Sequence, residues 1–212
     1  MTLSKSAVLI PGWATDSRIF DSLVLPFDKV LAADFSCSGF DKELLALLKK
    51  GSVKKTTLIG YSLGGFLAAD FACKYPDLID NLILVSIRQQ YPPRTLDAIK
   101  KYLIENKKAY LYKFYHECFY SPEDMSWFKK NLLKRYLSDM PAERLLTGLD
   151  YLKKARIKAS SVKNIKIIHG EFDKIAPLKE AQGIARELKV EFIVVKDAGH
   201  MLFLKKGFDK IL

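Results

Sequence analysis

The chain predicts an α/β fold, a doubly wound and mostly parallel sheet interrupted by one helical insertion. Short apolar runs recur along its 212 residues as buried strands, and helical patterns separate most of them. Strands that alternate with helices pair in parallel through crossovers, and reactive groups then collect at their carboxyl ends. The alternation fails only between about Ile87 and Ser160, where no convincing strand pattern occurs.

In chain order, Ala7–Ile10 is a short strand that stops at Pro11-Gly12-Trp13, and Lys29–Ala33 is a second that stops at Asp34. Asp41–Lys50 carries leucines at 44, 45, 47 and 48 and reads as an amphipathic helix. Thr56–Ile59 is a β-branched, apolar strand, and Phe66–Ala72 beyond the intervening turn is a buried helix. Asn81–Ser86 is the next strand, and Ile165–Ile168 and Glu191–Val195 flank a helix at about Leu178–Leu188. The insertion holds three or four helices, punctuated by Pro92-Pro93, Ser121-Pro122 and Met140-Pro141. Ser121, and Ser138 or Asp139, are expected caps near helix starts. The expected organisation is a core of residues 1–87 and 161–212 with a helical lid of residues 88–160 covering the carboxyl ends of the strands.

Composition narrows the class. At 49% hydrophobic the chain can bury a full core as one domain, and no uncharged apolar run approaches the length that crosses a bilayer. Ala7–Ile10 is too short for the apolar region of a signal peptide. Cys37, Cys73 and Cys118 are odd in number and lack metal-ligand spacing, so neither a disulfide framework nor a zinc site is expected. The expectation is a cytoplasmic protein with no membrane partner, no metal and no cofactor.

The turn between the Thr56–Ile59 strand and the following helix reads Gly60-Tyr61-Ser62-Leu63-Gly64-Gly65, a Gly-x-Ser-x-Gly. By chance the bare pattern arises in roughly one chain in fifteen of this size, so its strand-to-helix context carries the weight. A serine hydroxyl is a poor nucleophile at neutral pH and needs a base, which needs an orienting acid. His200 lies just after the last strand, and Asp173 lies after the Ile165–Ile168 strand, with Glu171 its close rival. His169 is read as a structural turn residue and His116 as a surface residue of the insertion. The chain order Ser62, Asp173, His200 is that of the α/β-hydrolase arrangement, and it differs from the chymotrypsin-like and subtilisin-like orders. All three fall at one edge of one sheet. The oxyanion that forms during acyl transfer would be held by the Leu63 amide and, from the loop after the first strand, the Trp13 amide. The Trp13 indole either lines the acyl pocket or anchors the core.

Val8-Leu9-Ile10-Pro11-Gly12-Trp13, the Ser62 turn, His169-Gly170-Glu171-Phe172-Asp173 and Ala198-Gly199-His200 together resemble the α/β-hydrolase superfamily over nearly the whole chain. The Gly-Trp pair, followed by Asp16-Ser17-Arg18-Ile19-Phe20, is similar to the pimeloyl-acyl-carrier-protein methyl ester esterases of biotin synthesis, as is the four-helix lid. The resemblance implies a sheet that starts at the family's third strand and so has about six strands. It departs from the family at Pro11, where His is usual, and at Asp34-Phe35-Ser36-Cys37-Ser38-Gly39-Phe40, where a Gly-x-Gly-x-Ser run is usual.

Charge then bears on the substrate. Residues 88–160 hold sixteen Lys and Arg against eight Asp and Glu, which is +8 of the chain's net +11. An acidic acyl carrier protein would be steered to such a surface, with Lys100, Lys107, Lys130, Lys134, Arg135, Arg144, Lys153 and Arg156 as candidate contacts. No recognised nucleic-acid motif accompanies the charge. The expected activity is a serine carboxylesterase acting on an acyl-carrier-protein-linked pimeloyl methyl ester. The alternatives are a broad carboxylesterase on small free esters and a hydrolase-like binding module without turnover.

Overall fold

The computed structural model describes residues 6–32, 34–158 and 162–212. Six strands form one sheet: β1 (Ser6–Ile10), β2 (Lys29–Ala32), β3 (Thr56–Tyr61), β4 (Ile79–Val85), β5 (Ile165–Gly170) and β6 (Glu191–Val195). Their order across the sheet is β2-β1-β3-β4-β5-β6, and every neighbouring pair is parallel. The predicted strands are all present. Ala33, expected to end the second, lies outside the described residues, as do Ala159 and Ser160 at the expected end of the insertion. The central strands β1 and β3 are buried at every residue, whereas β2 alternates between half-buried and exposed, as an edge strand does.

Among the described residues, four α-helices lie on the insertion and three flank the sheet. Helix α1 (Phe40–Lys50) buries Phe40, Leu44 and Leu48 at helical spacing, with acids in its first turn and lysines in its last, as the helix dipole favours. Helix α2 (Leu63–Lys74) follows β3 and is apolar nearly all round, because it packs against β1, β3 and β4 on one side and receives Phe40 of α1 on Phe71. Full burial of Phe66 and Phe71 contributes about 2–3 kcal/mol each.

The insertion runs α3 (Pro93–Glu117), α4 (Pro122–Phe128), a π turn at Lys129–Leu133, α5 (Lys134–Asp139) and α6 (Ala142–Lys154). Helix α3 is broken at Asn106 (φ −154°, ψ 86°), whose side-chain oxygen accepts the Ala109 amide and caps the second half. Ser121 caps α4 as expected, accepting the Asp124 amide at 3.2 Å. Ser138 and Asp139 do not cap a helix start. They end α5, where Ser138 Oγ bonds back to the Lys134 and Arg135 carbonyls, and the backbone enters α6 through Pro141. Helix α7 (Leu178–Leu188) joins β5 to β6 and buries Ala181, Ile184 and Ala185.

Candidate active site

At the end of β3 the chain turns sharply into α2 at Ser62, whose φ of 52° and ψ of −114° lie where L-residues are strained by about 1–3 kcal/mol. Two glycines make the turn possible. A Cβ on Gly60 would stand 2.5 Å from the Gly64 carbonyl oxygen, and one on Gly64 would stand 2.3 Å from the Ile10 carbonyl oxygen. Strand β3 can therefore approach α2, and α2 can approach β1, only without side chains at these positions. Bonds from the Ser62 amide to the Val85 carbonyl (2.9 Å) and from the Gly65 amide to the Ser62 carbonyl (2.9 Å) lock the turn.

The loops after β5 and β6 bring the other two predicted side chains to the serine. His200 Nε2 is 3.0 Å from Ser62 Oγ, and His200 Nδ1 is 2.7 Å from Asp173 Oδ2. The three residues are 4%, 1% and 7% exposed in the order Ser62, His200, Asp173, so bulk water does not compete for these bonds. Asp173 Oδ1 accepts the Ile175 and Ala176 amides, each at 2.8 Å, which fixes the carboxylate's plane. Burial by itself would raise the Asp173 carboxyl, but the charge and hydrogen bond of His200, with His169 and the Ala176 amide, outweigh it. The carboxyl is held below its usual range and stays ionised. Glu171, the rival acid, points elsewhere and accepts the Asp197 amide.

His169 is fully buried at the end of β5, with Nε2 2.8 Å from the Ala176 carbonyl oxygen and 3.3 Å from Asp173 Oδ2. Burial pushes its pKa down, so it is neutral at pH 7. Its Nδ1 has no hydrogen-bond partner among the described residues. His116 is exposed on α3 and far in role from this cluster.

Leu63 is the first residue of α2, where an amide has no intrahelical acceptor. Trp13 follows β1, in a loop that touches the nucleophile: a Cβ on Gly12 would be 3.1 Å from the Ser62 Cβ. Of the two roles that the sequence leaves open for its indole, the contacts bear on the core anchor. Nε1 donates to the Leu145 carbonyl at 2.9 Å and the ring meets Phe114 edge-on at 4.9 Å, anchoring α6 and α3. The same residue, with Leu63, Gly12 and Gly148, lines a cavity of about 680 Å³ that runs between α6 and the β2–α1 loop. Its lining combines apolar side chains such as Trp13, Leu63 and Leu67 with charged ones, Glu143, Arg144, Asp150 and Lys154.

Two residues beside the serine were not legible beforehand. Ser86, at the end of β4 with φ 52°, donates to the His200 carbonyl at 2.7 Å and so holds the histidine's backbone. Tyr91 is buried on the next loop, under the Arg88 guanidinium at 4.9 Å from its ring. Burial pushes its phenol up, while hydrogen bonding with Ser62 pulls in the opposite direction. A small polar residue at a strand's carboxyl end is the only sequence signal Ser86 offers, and Tyr91 offers none among so many aromatics. Among the described residues no group of three or more His, Cys, Asp or Glu side chains is placed to hold a metal ion.

This fold and strand-end site define a class, and the chain belongs to the alpha/beta hydrolase fold family, whose model matches residues 26–207. Among curated relatives it is 26% identical over 234 residues to the pimeloyl-[acyl-carrier protein] methyl ester esterase of Wigglesworthia glossinidia brevipalpis, covering 97% of this chain and 90% of that protein. The esterase of the same name from Vibrio atlanticus is 24% identical, covering 94% and 89%. Among solved structures, the enol-lactonase of Burkholderia xenovorans superposes with a TM-score of 0.84 at 15% identity, covering 97% of this chain and 88% of that one. An esterase from Exiguobacterium antarcticum superposes at 0.83 with 16% identity, covering 100% and 91%.

Proposed function

We propose that the protein is a serine carboxylesterase in which Ser62 is the nucleophile, His200 the general base and Asp173 the acid that orients it. The observation that carries this reading is the buried, continuous chain of hydrogen bonds from Ser62 Oγ through the His200 imidazole to Asp173. In the acylation step His200 Nε2 takes the Ser62 proton as Oγ attacks the ester carbonyl. The Leu63 and Trp13 amides stabilise the oxyanion of the tetrahedral intermediate. His200 then gives its proton to the leaving alcohol, leaving an acyl-Ser62. Water, deprotonated by the same imidazole, releases the acid and restores the serine. The Asp173 carboxylate fixes the tautomer with hydrogen on Nδ1 throughout.

For the substrate we propose an acyl-carrier-protein-linked pimeloyl methyl ester, which would place the enzyme in biotin synthesis. The names of the Wigglesworthia and Vibrio relatives support it. So does the cavity of about 680 Å³, whose mixed apolar and charged lining suits an acyl chain that carries a polar group. The carrier would meet Lys130, Lys134 and Arg135, exposed around the π turn and α5. One observation favours the second reading, a broad esterase on free esters: five of the eight cations expected on a docking face are already engaged. Lys100 and Lys153 pair with Asp150 and Asp97 between α3 and α6, and Lys107, Arg144 and Arg156 donate to the Met140, Thr15 and Ala155 carbonyls.

Two measurements test both levels. Ser62→Ala should abolish esterase activity and labelling by a fluorophosphonate; retained turnover rejects the nucleophile. A comparison of kcat/KM for pimeloyl methyl ester on acyl carrier protein and on free pantetheine, at low and high salt, tests the partner. A carrier preference that collapses in salt supports it, and equal turnover on both supports the broad esterase.

A further inference from the structure

We infer that Tyr115 is a positioning residue for the oxyanion loop: its hydroxyl, projecting from α3, holds the Ala14 carbonyl and thereby the turn that carries the Trp13 amide. The inference rests on the serine-esterase reading of the site.

Four consecutive residues of this loop are each hydrogen-bonded to the insertion. Trp13 Nε1 donates to the Leu145 carbonyl (2.9 Å), Tyr115 Oη to the Ala14 carbonyl (2.6 Å), Arg144 Nη2 to the Thr15 carbonyl (3.2 Å) and Tyr136 Oη to Asp16 Oδ1 (3.1 Å). Asp16 is held locally by Arg18, but around Ala14 the loop has few bonds of its own. These run from the Thr15 amide and hydroxyl back to the Gly12 carbonyl, closing a tight turn with Trp13 and Ala14 in the middle. Ala14 has φ 57° in that turn, at the central position where glycine is favoured. An alanine relaxes to negative φ unless something holds it, and such a relaxation reorients the Trp13–Ala14 and Ala14–Thr15 peptides, and through the first of these displaces the adjoining Gly12–Trp13 peptide that carries the Trp13 N–H.

Tyr115 supplies the hold. It is fully buried, and its ring is fixed among Phe114, Phe128 and Tyr136 at centroid distances of 5.6, 5.1 and 5.7 Å. Of the four contacts, its bond is the shortest and acts on the strained residue itself. A clamp from the insertion onto the oxyanion loop makes the position of the helices part of the chemistry rather than only a cover for it.

The test removes one oxygen atom and keeps the ring. Tyr115→Phe is assayed with p-nitrophenyl butyrate as substrate and n-butaneboronic acid as a reversible tetrahedral adduct of Ser62. The expected result is a fall of about tenfold in kcat, a KM within about twofold of wild type, and an equal rise in the boronic acid inhibition constant. Tyr112→Phe, exposed on the same helix, should leave all three at wild-type values. A folded Tyr115→Phe with unchanged kcat and boronic acid affinity overturns the inference, as does a change confined to KM or thermal midpoint. If Tyr115→Phe does not fold, Arg144→Gln decides, since it releases the neighbouring Thr15 carbonyl from a half-buried position. A lowered kcat with preserved KM supports the clamp, and an unchanged kcat overturns it. Fluorophosphonate labelling of wild-type Ser62 separates the two levels: without it the esterase reading fails and takes the inference with it, whereas with it a null result in the variants counts against the clamp alone.

Discussion

The carboxyl end of the sheet and the helical insertion face each other across one cavity, yet they are held in shape by different means. At the sheet end the backbone itself is strained. Ala14, Ser62, Ser86 and Asp197 follow β1, β3, β4 and β6, and all four have φ between 52° and 57° without being glycine. The insertion has no positive-φ residue among its described ones, and its helices are tied together by side chains such as the Lys100–Asp150 and Lys153–Asp97 pairs and the Tyr115, Phe128 and Tyr136 cluster. Strain of this kind persists only where the surroundings over-determine it. The difference teaches where substitutions should act: changes at the sheet end, and at the few insertion side chains such as Tyr115 that bond to its loops, should cost rate or fold, whereas changes on the exposed face of the insertion should tune what reaches the serine.

The sharpest way to break that contrast is Asp173→Asn. An amide in place of the carboxylate keeps the shape but stabilises the wrong imidazole tautomer and cannot support the imidazolium, so kcat on p-nitrophenyl butyrate should fall by about 10⁴-fold. A loss of less than tenfold would mean that Asp173 is a structural acid serving the Ile175 and Ala176 amides alone. Next in size is Gly64→Ala, which sets a methyl group 2.3 Å from the Ile10 carbonyl oxygen and must push α2 off β1. It should lower stability by about 3 kcal/mol, read from the urea midpoint. Ile104→Ala, 76% exposed on α3, should change that midpoint by less than about 0.5 kcal/mol. Equal costs at the two sites would erase the contrast.

On the insertion side, Lys130→Glu, Lys134→Glu and Arg135→Glu together should leave turnover of p-nitrophenyl butyrate unchanged. With acyl carrier protein as the substrate's carrier, the same triple variant should lose about tenfold in kcat/KM at low salt, because steering of an acidic partner reverses sign. Equal loss on both substrates would place those residues in the cavity's structure and not on a docking face.

The same contrast explains what the sequence made legible. The sheet, the Ser62 turn and the partners His200 and Asp173 were readable because each is written in a short local pattern: an apolar run, then a strand end, then a polar residue. Asp173 could be separated from Glu171 only by the fold, since both follow β5 and just one faces the imidazole. Ser86 and Tyr91 act through contacts more than a hundred or nearly thirty residues away, and local pattern carries no trace of such distances. The cap at Ser121 was legible because a cap acts on its own helix, and Ser138 misled because serine bonds backward at a helix end as readily as forward at a start. The basic charge of the insertion was visible as a total. Which cations are spent on internal pairs depends on how α3 lies against α6.

The smallest effect concerns His169 and His116, one histidine from each region. His169 is buried between the Ala176 carbonyl and Asp173, with the His200 ring also near, and burial holds its pKa below the ordinary 6.5. Below pH 6.5 the unfolded chain takes up a proton that the native site resists, so stability falls as pH is lowered from 6.5 toward the native value, and nothing is lost above it. Asp173 works in a separate window, because its carboxyl is held below 3.8 and its contribution is lost only in stronger acid. His169→Gln should therefore be somewhat less stable than wild type at pH 8, where only packing and the Ala176 bond are lost. Between pH 6.5 and 5 its urea midpoint should decline less steeply than the wild type's. His116→Gln, on the exposed face of α3, should match the wild-type midpoint at pH 8 to within about 0.5 kcal/mol. Parallel curves for wild type and His169→Gln would show that the sheet end tolerates a charged histidine beside Asp173, and burial would then not be what keeps this part of the site in its working state.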